Sequence, residues 1–367
     1  MKIECLKNKL QKAVSLVERA TSHNLSLPAL KNIIFKAEGS NLIIKATNLE
    51  IGVEINLPVK VIKDGIVACN PAILSSFLTN IKDEDKITAE LENGNLIITT
   101  QSNSTLIKSE DYEDFPIIPK INSNKPTIIK SNELISGIRS VIYSAAISDI
   151  KPEISSVYIY SKEDKLYFVA TDSFRLAEKN FLTNRKPDGL LPLIIPFKNA
   201  AEIVRVFENE DVEVEIHSDN NQLSLIGGSI HITSRLIDGV YPDYNQIMPK
   251  SFTTTTSILK EDLSQALKVS NIFSGKYHQI KIDLIPDKKQ IVIYSEAADV
   301  GKNTTIIKAN IEGPAFSANY NARYILEAFQ SINFSEIMIG ANESNKPMVV
   351  KGKGDSTFTY IVMPVNR

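Results

Sequence analysis

The chain has no tryptophan, two cysteines and four histidines in 367 residues. Cys5 and Cys69 stand in no CxxC and have no histidine at ligand spacing, which excludes a disulfide framework or a zinc site and predicts two buried, reduced thiols. No apolar run approaches the roughly 18 residues that cross a bilayer, so a soluble globular chain is expected, with no membrane partner. The N-terminus, Met1-Lys2-Ile3-Glu4-Cys5, leads directly into a strand and an amphipathic helix. It lacks the apolar stretch and cleavage site of a secretory signal, and predicts a cytoplasmic protein. Catalytic signatures are missing too: no GxxxxGK[ST], no GxGxxG after a strand, no HExxH and no GxSxG. Gly352-Lys353-Gly354-Asp355 reads as a hairpin turn, and Asp83-Glu84-Asp85 as a solvated loop. His23, His217, His231 and His278 are scattered, with His217 and His231 on predicted strands as surface packing. The one compact polar cluster is Thr171, Asp172 and Arg175, where an Asp–Arg pair bracing a turn is the simpler reading and a Thr/Asp/Arg catalytic site the alternative. Neither cofactor nor metal is expected.

Charge of one sign is also lacking, since the formal net charge is −2. The distribution is uneven. Basic and acidic residues number 14 and 15 in 1–120, 13 and 17 in 121–249, and 14 and 11 in 250–367. Over the six predicted helices (7–19, 71–81, 131–143, 198–207, 260–271 and 320–331) there are ten Lys/Arg against six Asp/Glu. That lean suits an anionic partner, although solvated helix faces also account for it.

What the chain does contain is one structural unit written three times. An apolar stripe of helical period follows a short strand at Leu10/Ala13/Val14/Val17, Leu134/Gly137/Ile138/Val141 and Leu263/Ala266/Leu267, its leading leucines 124 and 129 residues apart. A second stripe, Ile73/Leu74/Phe77, Ile203/Val204/Phe207 and Ile325/Leu326/Phe329, recurs at 130 and 122. Phe115-Pro116, Tyr241-Pro242 and Met363-Pro364 close the units, with prolines 126 and 122 apart. Three units of about 120 residues are comfortable domains. The boundaries expected are 1–120, 121–249 and 250–367.

Between the helices run β-branched alternations such as 41–47, 86–91, 212–216 and 290–294, separated by turn signals at Asn93-Gly94-Asn95, Asp219-Asn220-Asn221 and Pro286-Asp287-Lys288. Short spacing argues antiparallel meanders, so the class is α+β with two helices on antiparallel sheet in each unit. The joints, Ile117–Thr127 with Pro119, Asn122, Ser123, Asn124 and Pro126, and Asn245–Thr256 with Pro249, are brief and predict rigid attachment. A fourth landmark, Ala46-Thr47-Asn48, Ala170-Thr171-Asp172 and Tyr294-Ser295-Glu296, recurs at 124 and 124 and predicts the same turn in all three copies. Only the middle copy continues as Ser173-Phe174-Arg175-Leu176.

The triple repeat, Ala170-Thr-Asp-Ser-Phe-Arg-Leu176, Leu27-Pro28-Ala-Leu30 with Lys45-Ala-Thr-Asn-Leu-Glu50, Tyr241-Pro-Asp-Tyr244 and Tyr360-Ile-Val-Met-Pro-Val365 together resemble the bacterial DNA polymerase III β subunit, the sliding clamp family. The resemblance covers the whole chain. It implies a non-enzymatic processivity factor: a head-to-tail homodimeric ring of six similar domains, helices lining the hole, encircling double-stranded DNA without sequence preference. A repeat adhesion scaffold is disfavoured by the cytoplasmic character.

By resemblance, a groove for short linear motifs of the replicative polymerase, clamp loader and repair polymerases is implied at Ile154, Thr171, Phe174, Arg175, Leu176, Pro242, Ile247, Tyr324, Met363, Pro364 and Val365. Leu176, Ile247 and Val365 would line an apolar pocket, Pro242 and Pro364 stiffen its rim, and Met363 adapt to several partners. The dimer interface is implied at Leu74, Phe77 and the strand around Thr105-Leu106-Ile107, facing Ile272 and Phe273; intradomain core is the other reading for Ile272 and Phe273. Lys151, Arg139, Lys198 and Arg205 are the expected DNA-facing set. Departures from the family pattern are Asn24 in place of an arginine beside the Leu-Pro segment, Lys151 for an arginine, Ile154-Ser155-Ser156 for Leu-Asn-Gly, Gln246 for an arginine, and the ending Val365-Asn366-Arg367. Lysine keeps charge but not bidentate geometry, so a somewhat different peptide preference is expected.

Overall fold

A computed structural model describes residues 1–22, 27–82, 85–121, 123, 126–148, 150–183, 190 and 192–365. Asn24, His23, Asp83, Glu84, Asn122, Asn124, Asn366 and Arg367 lie outside the described residues. Six α-helices form among the described residues: α1 (Lys7–Val17), α2 (Pro71–Asn80), α3 (Ser131–Val141), α4 (Phe197–Phe207), α5 (Lys260–Ile272) and α6 (Ala322–Ala328). Each begins within two residues of its predicted start, and all but α6, which stops three residues short of 331, end within two residues of the predicted end. Asn70 and Asn321 cap α2 and α6 by accepting from the second and third amides of each helix, where four backbone donors otherwise lack partners.

The chain divides into two compact units. The first (1–135, 187–191 and 198–238) holds a five-stranded antiparallel sheet in the order 60–63, 2–6, 86–92, 95–99, 104–107. It also holds a nine-stranded sheet in the order 109–110, 65–69, 33–38, 41–47, 51–58, 230–235, 222–227, 213–218, 127–130. The second (136–186, 192–197 and 239–367) holds nine strands ordered 193–196, 156–162, 165–171, 175–182, 358–362, 348–352, 336–341, 254–259, 310–312. Its remaining sheet has four strands, 301–308, 290–297, 279–285 and 316–321.

Each nine-stranded sheet is built from two neighbouring sequence repeats. Strand 51–58 of the first repeat pairs with 230–235 of the second, Val53 opposite Ile232. Strand 175–182 of the second pairs with 358–362 of the third, Leu176 opposite Ile361. Both joints are tied down as well. Thr233 Oγ1 donates to the Pro119 carbonyl at 2.8 Å, Lys120 pairs with Glu54 at 2.7 Å, and the Ser123 amide donates to His217 Nδ1 at 3.0 Å. Across the second joint the Thr253 amide donates to Asn342 Oδ1 at 2.8 Å. His217 and His231, expected on the strand surface, are nearly buried, and burial holds the His231 pKa down.

The first apolar stripe is buried in all three helices, as periodicity predicts. The second is not uniform: Ile203 and Ile325 are buried, whereas Ile73 is 56% exposed and Phe77 half-buried. Cys69 is buried, Cys5 is partly covered, both are free, and burial pushes each thiol up to about 12. Gly352–Asp355 makes the expected turn between two paired strands, and Asn93-Gly94 makes a tight hairpin with φ 47° and 78°.

Gly137 lies in α3 where an added Cβ would sit 2.6–2.7 Å from three atoms of the Phe168 ring. Gly137→Ala gains up to about 1 kcal/mol of helix propensity but overpacks a buried aromatic, which costs about 1–3 kcal/mol. The expected outcome is net destabilisation in urea unfolding.

Candidate partner groove and nucleic-acid face

The site begins with a five-residue turn between strands 165–171 and 175–182. Thr171 Oγ1 donates to the Arg175 carbonyl at 2.6 Å and accepts from the Ser173 amide at 3.2 Å. Asp172 Oδ1 accepts from the Phe174 and Arg175 amides, both at 2.9 Å. Ser173 takes φ 77°, in the left-handed region. The first repeat builds the same turn at Thr47–Ile51. The third repeat does not: Ser295 lies inside a strand opposite Asn303, and that hairpin runs on to Ala297–Gly301. The prediction of three equal turns is corrected to two, because side-chain acceptors at both Thr and Asx positions are what close the turn early.

Arg175 is 8% exposed. Its Nε donates to Asp172 Oδ2 at 2.9 Å, its Nη1 donates to Glu327 Oε2, and its guanidinium lies 4.3 Å from the Tyr324 ring and 6.0 Å from Tyr143. Burial works against its charge, yet the Glu327 bond and the neighbouring carboxylates hold the pKa above the ordinary arginine value. This is the Asp–Arg brace, extended to a second carboxylate. Phe174, in contrast, is 62% exposed, and its carbonyl accepts from the Met363 amide at 2.8 Å. Met363, Pro364 and Val365 are half-buried, with the Val365 amide donating to the Asn319 carbonyl.

Leu176, expected to line an apolar pocket, is 1% exposed and sits in the sheet between Thr171 and Ile361. Ile154 is also buried, its carbonyl accepting from the Ala146 amide. Pro242 is exposed and Ile247 is 44% exposed. Their segment is anchored by Tyr241, stacked on Tyr158 at 4.5 Å, and by Tyr244, whose hydroxyl lies 2.7 Å from that of Tyr160 and donates to Glu178 Oε2. The apolar surface therefore consists of Phe174, Ile247, Pro242 and the 363–365 tail, with Tyr324 half-buried beside Arg175.

Among the expected DNA-facing residues, Lys151, Arg139 and Lys198 are exposed. Arg205 is corrected. Its Nη1 and Nη2 donate to the Ser15 and Leu16 carbonyls at 2.9 and 2.6 Å, and its Nε pairs with Glu202 at 2.7 Å. It satisfies the unpaired carbonyls at the end of α1 rather than presenting charge to solvent.

Of the expected interface residues, Leu74 and Ile107 are buried and belong to the core of their own unit. Leu106, within the expected strand, is 57% exposed, and Ile73, beside Leu74, is 56% exposed. Thr105 and Phe77 are half-buried, Ile272 is 64% exposed and Phe273 is half-buried. Strands 104–107 and 301–308 are each the edge of their sheet, and Ile306 on the latter is 60% exposed. Strand 301–308 and Glu327 were missed by the sequence reading; alternation without polarity contrast and an i,i+4 Arg323/Glu327 pair were the only signals.

Repeated helix pairs on antiparallel sheets that neighbouring repeats share define the DNA clamp fold. Family models described as the N-terminal, central and C-terminal domains of the DNA polymerase III beta subunit match residues 1–119, 128–243 and 245–366. The beta sliding clamps of Synechococcus elongatus and Synechocystis are 24% and 26% identical, each over 100% of this chain and 99% of the relative. The Thermotoga maritima beta subunit superposes with TM-score 0.93 at 20% identity, over 100% of this chain and 99% of the other. A Pseudomonas aeruginosa clamp bound to griselimycin does so with TM-score 0.95 at 20% identity, over all of both chains. The chain belongs to the DNA polymerase III beta subunit family.

Burial raises the Glu178 pKa, and the Tyr244 hydrogen bond opposes this only in part. A carboxyl whose folded pKa lies above its unfolded value contributes stability that is present below the unfolded pKa and lost as pH rises through the folded one. Glu178→Gln removes that loss. The variant's urea midpoint is expected to exceed wild type at pH 8, with the difference shrinking towards pH 4.

Proposed function

We propose that this chain is a sliding clamp subunit. Two copies close head to tail into a ring around duplex DNA, and the ring tethers the replicative polymerase, the clamp loader and repair polymerases through short peptide segments, with no catalysis of its own. The in-order match of three domain models over residues 1–366 carries this reading. The domains we assign are 1–120, 121–249 and 250–367.

The internal repeat supports where the ring closes. Within the chain, the strand after each repeated turn landmark pairs with a strand near the end of the next repeat: 51–58 with 230–235, and 175–182 with 358–362. The third member of the first set is 301–308, and the third member of the second set is 104–107. Both are edges. Pairing 301–308 of one copy with 104–107 of another repeats the same junction, and two-fold symmetry makes two such junctions, which close instead of growing a filament. Ile306, Ile272, Leu106 and Ile73 are the exposed apolar side chains this would cover.

Persistence then comes from topology. Duplex DNA carries one charge per roughly 1.7 Å of axis, and a chain of net charge −2 gains little from neutralising phosphates. Lys151, Arg139 and Lys198 supply attraction without base readout, which permits sliding. We assign the exposed surface at Phe174, Ile247, Pro242 and Met363–Val365 to partner peptides, and to griselimycin, which the Pseudomonas relative was solved with.

Native mass spectrometry should show a dimer of twice 40.7 kDa, and Ile272→Asp with Leu106→Asp should shift it to monomer. Once loaded, the wild-type ring should remain on nicked circular DNA and run off after linearisation; equal dissociation from both templates would refute encirclement. Removing Met363–Arg367 should abolish polymerase stimulation while the dimer persists.

A further inference from the structure

We infer that Glu327, on α6, is a positioning residue for the partner groove, latching the 171–175 turn to that helix; the inference rests on the groove reading above. The first repeat supplies the comparison. There Thr47 Oγ1 donates to the Ile51 carbonyl at 3.0 Å and accepts from the Leu49 amide at 3.1 Å. Asn48 Oδ1 accepts from the Glu50 and Ile51 amides at 3.0 and 2.9 Å, and Leu49 takes φ 76° against 77° for Ser173. Bond for bond this is the Thr171–Arg175 turn, yet the place of Arg175 is held by Ile51, a buried apolar residue. The turn forms without an arginine.

An arginine that the turn does not need is costly to bury, because a guanidinium taken from water is repaid only by well-placed partners. Asp172 is one, but it belongs to the turn itself. Glu327 is the carboxylate that reaches it from another element, 152 positions away in sequence. Both of its oxygens are engaged: Oε2 accepts from Arg175 Nη1, and Oε1 accepts from Arg323 Nε at 2.9 Å, one helical turn back along α6. The guanidinium so fixed stacks on Tyr324 at 4.3 Å, three residues before Glu327. Phe174, adjacent to Arg175, and Tyr324 are thereby set from the same charge. A seven-residue helix such as α6 has little intrinsic stability, so its placement depends on contacts of this kind.

The test titrates griselimycin against the full-length dimer by calorimetry, with hydrogen exchange of the 171–175 amides as a second readout. Glu327→Gln is expected to weaken binding about tenfold while leaving the turn amides as protected as in wild type. Arg323→Gln, which removes only the exposed end of the network, is expected to cost no more than about threefold. Phe174→Ala is the groove control. If Phe174→Ala weakens binding and Glu327→Gln does not, the positioning role is overturned and the groove stands. Loss of protection at the turn amides in Glu327→Gln also overturns it, since Glu327 would then be building the turn. If wild type fails to bind, or Phe174→Ala binds as wild type does, the groove assignment falls and the inference with it.

Discussion

Backbone hydrogen bonding across repeat boundaries is the interaction on which this structure depends. Residues 51–58 cannot complete their ladder within the first repeat, nor 175–182 within the second; each takes its second neighbour from the following repeat. A strand edge left open carries a row of unpaired amides and carbonyls, which is costly to bury and adhesive when exposed. Sharing sheets pairs these edges twice within the chain, while 301–308 and 104–107, the corresponding strands of the third and first repeats, remain edges. The first joint is tied to the same sheet: Thr233 Oγ1, on strand 230–235, donates to the Pro119 carbonyl.

One turn, used twice, shows how a repeated scaffold acquires a specific surface. Thr47–Ile51 and Thr171–Arg175 spend the same side-chain oxygens on the same amides. What differs is the outward cargo. In the first copy the position before the buried residue is Glu50, whose carbonyl accepts from the Arg235 amide and Asn199 Nδ2. In the second it is Phe174, whose side chain is left exposed while its carbonyl holds the Met363 amide. The backbone role is conserved between copies, and the Phe174 side chain is left exposed. The third copy abandons the turn and lengthens its hairpin instead, which extends the 301–308 edge.

Features set by period were legible in the sequence: six helices, the buried first stripe, the alternating strands and the Asn93-Gly94 turn all follow from local spacing and φ preference. Features set by long-range partners were not. Arg205 looked like a solvent-facing helix cation, yet its partners are the carbonyls of Ser15 and Leu16, 190 and 189 positions away. Leu74 and Ile73 are adjacent apolar residues on α2, and a pattern alone does not say which one points inward; the structure buries Leu74 and exposes Ile73. Leu176 was given to the pocket by resemblance alone; in the structure it lies in the sheet between Thr171 and Ile361 and is 1% exposed. Glu327 carried only the signature of a surface i,i+4 pair, which ordinarily contributes little.

The charge balance and the open edges belong to one physical problem. A protein held to DNA by many phosphate contacts would lose mobility as it gained affinity, since each neutralised phosphate adds to the salt-dependent grip. A chain with 41 basic and 43 acidic residues avoids that grip. Retention must then be stored elsewhere, and the edges at 104–107 and 301–308, with Leu106, Ile306 and Ile272 exposed beside them, are where the structure has unspent hydrogen bonds and apolar area. In the proposed ring those groups bond protein to protein, so the free energy that resists opening makes no demand on the DNA and the duplex remains free to move. Weak, unspecific attraction and a strong closure are thus complementary requirements, and a fold that already joins repeat to repeat through shared strands meets the second by making the same junction once more between copies.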